Sequence, residues 1–178
     1  MSKNYPIDFV VTWVDGNDPI WQAEKAKYSP NKNADNRNVR FRDWDNMQYW
    51  FRAVEKFAPW VNKIHFVTYG HLPKWLNTNN PKLNIAKHSD FIPQKYLPTF
   101  SSRTIEFNLH RIENLTERFV YFNDDMFLLR PVKRELFFAG KDCLPTDFAI
   151  TSTLSVTDKK DTVQYAKFNN IVILNSQF

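Results

Sequence analysis

The sequence predicts an α/β fold in which a mostly parallel sheet is flanked by helices. Three observations lead to this fold class. Short apolar runs rich in β-branched and aromatic residues alternate with segments of helical periodicity. The first run ends at a dense turn signal, the second at Gly70 and the fourth at an Asn-Asp-Asp sequence. A length of 178 residues, with 43% hydrophobic and 24% charged side chains, suits one globular domain. Alternating strands and helices favour parallel pairing, because the helices then form the crossover connections.

Five segments have the composition of strands. The first, residues 7–14 (IDFVVTWV), is followed by a dense turn signal at residues 15–19 (DGNDP). The fourth, residues 118–122 (RFVYF), ends abruptly at the Asn-Asp-Asp sequence of residues 123–125. The remaining three predicted strands are residues 63–69, 83–87 and 170–174.

The main helix is predicted over residues 42–58, because apolar side chains recur there at three- and four-residue steps. Asp43 or Asp45 can cap its start, and Pro59 ends it. The side chains of its apolar face are Met47, Trp50, Phe51, Val54 and Phe57.

The rest of the chain is predicted to contain shorter helices and two long loops. A short helix is expected at residues 72–76, and a further helix is expected to begin near Ser101 or Ser102. The loops are residues 30–38, which are polar and rich in asparagine, and residues 88–100, which contain two prolines.

Charge and cysteine content limit the class of partner. The formal net charge of +5 favours anionic ligands in general, but no dense run of lysine and arginine is present, so we do not expect nucleic-acid binding. The single cysteine, Cys143, agrees with a reducing compartment. Neither a signal-peptide core nor an apolar stretch of membrane-spanning length is found. We therefore expect a cytoplasmic protein that can lie peripherally at the inner face of the cell membrane.

Acidic residues follow two of the predicted strands. Asp15 and Asp18 follow the first strand, and Asn123, Asp124 and Asp125 follow the fourth. Ligands of open parallel sheets bind beyond the carboxyl ends of the strands, so both groups fall where a site is expected. Adjacent carboxylates suit a hard divalent cation such as Mg²⁺, which completes its coordination with phosphate oxygens and water. The alternative for each group is an ordinary turn with solvated acids.

Two groups of residues are candidates for phosphate binding. Ser101, Ser102 and Arg103 lie at a predicted helix start, where free backbone N–H groups favour an anion and the guanidinium adds donors. Arg42 and Asp43 lead into the main helix and can bind phosphate or position an acid. In both cases the alternative is helix capping with exposed charges. The four histidines show no metal-ligand spacing, so structural roles are expected for them.

Taken together, these segments resemble the Stealth family of sugar-1-phosphate transferases, which includes bacterial capsular polysaccharide phosphotransferases and the animal GlcNAc-1-phosphotransferase. The first block of resemblance is residues 7–18, the second is residues 40–131, and residues 169–178 resemble the start of a third. The motifs of the second block are RDWDN at 42–46, HFVT at 65–68, PKWL at 73–76, HSDFIP at 88–93, LPTFSS at 97–102 and FNDD at 122–125.

The resemblance implies a Rossmann-like, nucleotide-sugar transferase-like fold and the transfer of a hexose-1-phosphate. The donor would be a nucleotide sugar, and the acceptor a hydroxyl of a polysaccharide or other glycan in capsule or cell-surface polysaccharide synthesis. Asp15 would belong to the nucleotide-sugar site, and Asp124 and Asp125 would bind Mg²⁺ (or Mn²⁺) or orient the acceptor. Arg103 and Arg42 would bind phosphate. The other substrate-binding candidates are Asp18, Asp43, Asn46, Ser101, Ser102 and Asn123.

The family pattern continues beyond the third block, so residues 1–178 are interpreted as one α/β domain that forms the N-terminal part of a longer catalytic domain. We expect this chain to fold and to be weakly active or inactive alone. Two alternatives remain open from the residues. The first is a metal-dependent glycosyltransferase, which would release a nucleoside diphosphate. The second is a non-catalytic sugar- or nucleotide-binding module, which would not need the paired acids.

Overall fold

The computed structural model describes residues 5–28, 44–139 and 144–146, together with positions 165, 168–170, 172, 173 and 176. The chain divides into two compact units, Met1–Leu144 and Pro145–Phe178. The first unit contains the main sheet and its helices. In the second unit the described residues from 165 onward have helical backbone.

The first unit is built on a four-stranded, fully parallel sheet. The strands are β1 (Asp8–Trp13), β2 (Ile64–Thr68), β3 (Leu83–Lys87) and β4 (Phe119–Phe122). Their order in the sheet is β3-β2-β1-β4, and Val11 of β1 pairs with Phe66 of β2 on one side and with Phe122 of β4 on the other. The parallel α/β fold predicted from the sequence is therefore confirmed.

Helices cover both faces of this sheet. They are α1 (Pro19–Lys27), α2 (Met47–Phe57), α3 (His88–Phe91) and α4 (Ser102–Asn108). Single 3₁₀ turns occur at Gln94–Tyr96, Leu109–Arg111 and Arg134–Leu136. A separate two-stranded sheet pairs β5 (Phe138–Ala139) with β6 (Leu144–Pro145).

The side chains of β1 alternate between two hydrophobic cores, as expected for a strand with side-chain period two. Phe9 and Val11 belong to the core that contains Trp50 of α2. Val10 belongs to the opposite core, which contains Phe91 and Leu109. Because both faces are covered, the strand is apolar almost throughout, which is why its sequence shows a continuous apolar run.

Helix α1 was not predicted. Its start signals are present, since Asp18 is the N-cap and Pro19 is the first helical residue. In the sequence these residues are part of the dense turn signal at 15–19. In the structure only Trp21 of this helix is buried, so the helix shows no broad apolar face. Besides its cap and the buried Trp21, α1 is held by hydrogen bonds of Gln22 to the Gly16 carbonyl and of Tyr69 to Glu24.

Three other helix predictions require correction. The main helix begins at Met47, not at residue 42; Asp45 does not cap it, because Asp45 has a positive φ of 52° and Asn46 occupies the N-cap. Residues 72–76 form a turn, closed by a hydrogen bond from Leu76 N–H to the Pro73 carbonyl (3.1 Å). The predicted loop 88–100 contains α3 and a 3₁₀ turn.

The fifth predicted strand is also wrong. Residues 170, 172 and 173 are helical, and the Ser176 hydroxyl donates to the Ile173 carbonyl at 2.7 Å. A short apolar run has the same composition in a strand and in a helix, so periodicity cannot separate the two. The predicted loop 30–38, the helix start at 42–43 and Cys143 lie outside the described residues.

A buried carboxylate joins the amino ends of three strands. Asp8 opens β1 and is fully buried. Its two oxygens accept hydrogen bonds from Asn62 Nδ2 (2.8 Å), the Lys63 N–H (3.0 Å), His65 Nε2 (3.0 Å) and the Thr116 N–H (2.9 Å). These donors come from the segments that enter β2 and β4, so Asp8 fixes where the three strands begin.

The proton arrangement of this network follows from its donors. The amide nitrogen of Asn84 can only donate, so His65 Nδ1 accepts from it at 2.9 Å and His65 Nε2 carries the proton that faces Asp8. Burial alone would raise the pKa of Asp8. The hydrogen bonds from His65, Thr116 and Asn62 outweigh burial and lower the pKa from 3.8 to about 2.

Candidate functional site

The candidate site lies at the carboxyl edge of the parallel sheet, between β1 and β4. The chain leaves β1 toward β2 and β3 on one side and returns to β4 on the other, so the strand order reverses between β1 and β4. Ligands of such sheets bind in the crevice at this reversal. The turn that contains Asp15 follows β1, and the turn that contains Asp124 and Asp125 follows β4. The fold therefore brings both predicted acidic groups to the ends of neighbouring strands.

The turn after β1 is fixed by its own polar groups. Asp15 Oδ1 accepts from the Asn17 N–H (2.8 Å), and the Asp15 carbonyl accepts from the Asp18 N–H (3.1 Å). The Gly16 carbonyl accepts from Gln22 Nε2 of α1 at 2.7 Å. The backbone that presents Asp15 is thus tied to α1.

Asp18, predicted to bind substrate, has a structural role in the cap of α1. Its Oδ1 accepts from the Trp21 N–H at 2.7 Å. We expect Asp18→Ala to lower the free energy of unfolding by about 1 kcal/mol, because one N–H of the first turn loses its acceptor. Asp18→Asn keeps a capping oxygen and should retain most of that stability in urea denaturation. Equal losses in both variants would show that the carboxylate charge matters more than the cap.

His71 follows β2 and reaches the turn after β1. Its Nε2 accepts from the Asp15 N–H at 2.8 Å, so the nitrogen is unprotonated in this arrangement. Burial lowers the pKa of His71, although the carboxylates of Asp18 and Asp15 partly oppose this shift. The ring packs edge-on against Trp13, with centroids 5.3 Å apart.

The turn after β4 is organised by a tyrosine. The Tyr121 hydroxyl lies 2.8 Å from Asn123 Oδ1, to which it donates, and 3.3 Å from Thr12 Oγ1 of β1. Glu106 Oε1 of α4 lies 3.4 Å from the same hydroxyl. Burial raises the pKa of Tyr121, and the Glu106 carboxylate adds to the shift. Asn123 is therefore held by Tyr121.

The paired carboxylates of this turn face solvent. Asn123, Asp124 and Asp125 are exposed, and the turn is closed by a hydrogen bond from the Met126 N–H to the Asn123 carbonyl (3.1 Å). Accessible carboxylates next to each other can bind a ligand or ion without reorganising a core.

The segment that leads into α4 crosses the same edge of the sheet. Phe100 stacks on Tyr69, after β2, with centroids 5.7 Å apart, and it contacts Trp21 of α1 at 5.8 Å. Farther along, Glu106 reaches Tyr121 of β4. The segment between these contacts therefore passes from the end of β2 to the end of β4, and it carries three of the predicted site residues. These are Ser101, Ser102 and Arg103, all exposed.

The helix start predicted at this segment is confirmed. Ser101 is the N-cap of α4, and its hydroxyl accepts from the Thr104 N–H at 3.5 Å. Asn46 lies at the N-cap of α2 and makes no side-chain cap hydrogen bond. Arg42 and Asp43, the remaining predicted substrate-binding residues, lie outside the described residues.

The donor set at the β4 turn fits a magnesium ion bound together with phosphate. Among the described residues, no group of three or more histidine, cysteine, aspartate or glutamate side chains is arranged to hold a metal. Mg²⁺ does not require such a group, because it usually takes one or two carboxylates and completes its shell with substrate oxygens and water. Asp124 and Asp125 can supply those carboxylates when a phosphorylated ligand is bound.

Sequence reasoning missed three residues that shape this edge. Tyr121 and Tyr69 were included only as residues of predicted strands, and for His71 only a structural role was expected; each is hydrogen-bonded near the site. The Tyr69 hydroxyl donates to Glu24 of α1, and burial together with that carboxylate raises the pKa of Tyr69. Their position at or near strand ends could have identified them from the sequence, because buried tyrosine and histidine require hydrogen-bond partners.

A groove of about 450 Å³ lies elsewhere in the first unit. It runs beside α2 and includes the first residues of β2 and β3, Ile64 and Leu83, with Phe51 and Trp75 among its apolar residues. The acidic turns follow the opposite ends of the strands, so the groove is separate from the candidate site.

Comparison with known proteins identifies two family regions. Residues 5–33 match the model described as Stealth protein CR1, conserved region 1, and residues 40–144 match Stealth protein CR2, conserved region 2. The first region contains Asp15 and Asp18, and the second contains Arg103, Asp124 and Asp125. Both turns of the candidate site thus lie in conserved regions of one family.

Three of the similar curated proteins come from streptococci. The chain is 53% identical over 174 residues to the capsular polysaccharide phosphotransferase WcwK of Streptococcus pneumoniae, covering 97% of this chain and 51% of the relative. It is 55% identical over 143 residues to the receptor polysaccharide phosphotransferase WefC of Streptococcus oralis, covering 78% of this chain and 43% of that relative. It is 47% identical over 176 residues to the capsular polysaccharide phosphotransferase CpsJ of Streptococcus thermophilus, covering 97% of this chain and 72% of that relative.

The chain spans about half the length of the first two relatives. Within the described part of the chain, no helix is long and apolar enough to cross a membrane.

Proposed function

Because this chain belongs to the Stealth family, we propose that it forms the donor-binding part of an enzyme that transfers a hexose-1-phosphate from a nucleotide sugar to a hydroxyl of a polysaccharide. The observation that carries the proposal is the sheet order, which puts the acidic turns after β1 and β4 on neighbouring strands. The relatives are named as phosphotransferases of capsular and receptor polysaccharides, which agrees with this reaction. The location we propose is cytoplasmic, at the inner face of the cell membrane.

In the proposed reaction, an acceptor oxygen attacks the phosphorus that carries the sugar. A new oxygen–phosphorus bond forms, the bond to the bridging oxygen of the diphosphate breaks, and a nucleoside monophosphate leaves with that oxygen. The proton of the acceptor hydroxyl is released to solvent. The protein's task is to align these oxygens and to compensate the phosphoryl charge.

In this proposal the turn after β1 and the turn after β4 have different roles. The turn with Asp15 borders the nucleotide-sugar site, and the turn with Asp124 and Asp125 faces the phosphates. A bound Mg²⁺ would neutralise phosphoryl charge at this second turn. Arg103, exposed on α4 above the same edge, supplies a guanidinium that suits phosphate oxygens.

Donor binding tests the proposal directly. We would titrate the chain calorimetrically with UDP-GlcNAc and with GDP-sugars, with and without Mg²⁺. We expect one donor to bind, more tightly when Mg²⁺ is present. A folded sample that binds none of them would contradict a donor site within residues 1–178.

Product analysis separates the proposal from a metal-dependent glycosyltransferase. Transfer of a sugar phosphate releases a nucleoside monophosphate, whereas transfer of a bare sugar releases a nucleoside diphosphate. Release of the diphosphate during acceptor modification would overturn the proposed reaction while leaving the donor site in place.

A further inference from the structure

His71 joins two loops at the carboxyl edge of the sheet. It lies three residues beyond the end of β2, yet its Nε2 accepts a hydrogen bond from the backbone N–H of Asp15, beyond the end of β1, at 2.8 Å. The contact is to the main chain, so it fixes the position of Asp15 without occupying the carboxylate. The Asp15 side chain instead accepts from the Asn17 N–H.

Three features hold His71 in place, two acting on the backbone and one on the ring. The Thr68 hydroxyl donates to the His71 carbonyl at 2.7 Å, and the Trp13 ring packs against the imidazole with centroids 5.3 Å apart and an interplanar angle of 79°. Gly70, at φ = 146°, lets the chain turn directly after β2. A Cβ at Gly70 would meet no atom within 4 Å, so the backbone conformation, not space, requires glycine there.

Only the neutral imidazole can make this contact. In imidazolium both ring nitrogens carry protons, so Nε2 would face the Asp15 N–H as a second donor. Burial keeps the pKa of His71 below its usual 6.5, so the accepting form predominates at neutral pH. Protonation at lower pH removes the acceptor, so the Asp15 N–H loses its hydrogen bond to His71.

The surroundings of His71 contain several other titratable groups. Asp15 and Asp18 face it from the turn after β1, and their charges favour its protonation. His88 of α3 lies nearby, and burial lowers the pKa of His88 to about 4, so His88 is neutral at neutral pH. Tyr69 lies 6.3 Å from His71, ring to ring, and donates to Glu24.

We propose that His71 is a positioning residue for the nucleotide-sugar site: its neutral imidazole holds the Asp15 backbone, and its protonation releases the turn and weakens donor binding. This inference rests on the proposed function, because it assumes that the turn after β1 borders the donor. His71 does not need to touch the donor or the reacting atoms to have this effect.

Two substitutions separate positioning from a general structural role. His71→Gln keeps an acceptor, since the glutamine amide oxygen can receive the Asp15 N–H, and it does not titrate. His71→Leu replaces the ring with an apolar side chain and removes the acceptor. Thermal unfolding of both variants shows whether they fold like the parent chain.

The test is the affinity for the nucleotide sugar identified by calorimetry, measured from pH 7.5 to pH 5. At pH 7.5 we expect His71→Leu to bind about tenfold more weakly and His71→Gln to bind within about twofold of the parent. As the pH falls, binding by the parent should weaken through the pKa of His71, whereas binding by His71→Gln should change little. Equal affinities of the parent and His71→Leu, or parallel pH profiles of the parent and His71→Gln, would overturn the inference.

A second readout does not depend on donor binding. The ¹H–¹⁵N signal of the Asp15 amide should move with pH in the parent chain, following the His71 ring, and should not move in His71→Gln. If the parent binds no nucleotide sugar, the proposed function fails for this chain, and the amide signal alone decides whether His71 positions Asp15. An amide signal that is insensitive to pH in the folded parent would overturn the positioning role.

Discussion

Replacing Asp8 with alanine should lower the free energy of unfolding by about 3–5 kcal/mol, because a buried donor left without its acceptor costs about 1–3 kcal/mol and several donors are affected. Asp8 is fully buried and accepts from four donors, which would be left without it. Domains of this size are stable by only about 5–15 kcal/mol, so such a loss is a large part of the total stability. Urea denaturation followed by tryptophan fluorescence measures the change.

Asp125→Ala is the matched control for this prediction. Asp125 is exposed, so its removal should change the free energy of unfolding by no more than about 0.5 kcal/mol. If Asp8→Ala proved as stable as Asp125→Ala, the Asp8 network would not hold the amino ends of the strands together.

Acid denaturation provides an independent check on Asp8. The folded-state pKa of about 2 lies below the ordinary 3.8, so the stabilisation is fully present above pH 3.8 and is lost as the pH falls toward 2. The shift corresponds to about 2 kcal/mol. The parent chain should therefore lose stability between pH 4 and 2 more steeply than Asp8→Ala. Equal slopes would show that other carboxylates dominate acid unfolding.

Replacing Asp125 with alanine should weaken the Mg²⁺-dependent part of donor binding by at least about 10–100-fold, because substitutions that only support metal ligands already have effects of that size. Binding measured in EDTA should change little. The carboxylate is exposed in the turn after β4 and is not required for packing, so the loss should appear without loss of the fold. Calorimetry with the donor, in Mg²⁺ and in EDTA, measures both quantities.

A second acidic substitution tests whether the effect is specific. Glu113 is exposed on the segment that leads into β4, at the opposite end of that strand. Glu113→Ala should therefore leave both the affinity and its metal dependence unchanged. If the double variant Asp124→Ala and Asp125→Ala kept the full Mg²⁺ dependence, the metal would have to bind elsewhere.

The acidic residues illustrate what can be learned from sequence. Asp15 and Asp125 were recognised because they follow apolar runs, and the end of a parallel strand is a place where ligands bind. Asp8 was not singled out, although a carboxylate inside an apolar strand must be buried and paired. The same strand therefore begins with a structural aspartate and is followed by a candidate site aspartate.

Helix boundaries show a different limit. The main helix was found because its apolar face repeats regularly. Helix α1 was missed because its start signals coincide with a turn signal and its sequence shows no regular apolar face. The predicted cap at Asp45 failed because the chain turns there with positive φ before the helix begins. Caps depend on backbone geometry that residue types restrict only weakly.

The sequence by itself determined the parallel α/β class, all four strands of the main sheet and the acidic turns that follow β1 and β4, because these depend on local periodicity and turn chemistry. It also carried the motifs of the Stealth family. Only the tertiary structure decided that β1 and β4 are neighbours, that His71 accepts from the Asp15 backbone and that Tyr121 holds Asn123. Those contacts join residues between 2 and 111 positions apart, and strand order and side-chain reach, not local pattern, determine which of them meet.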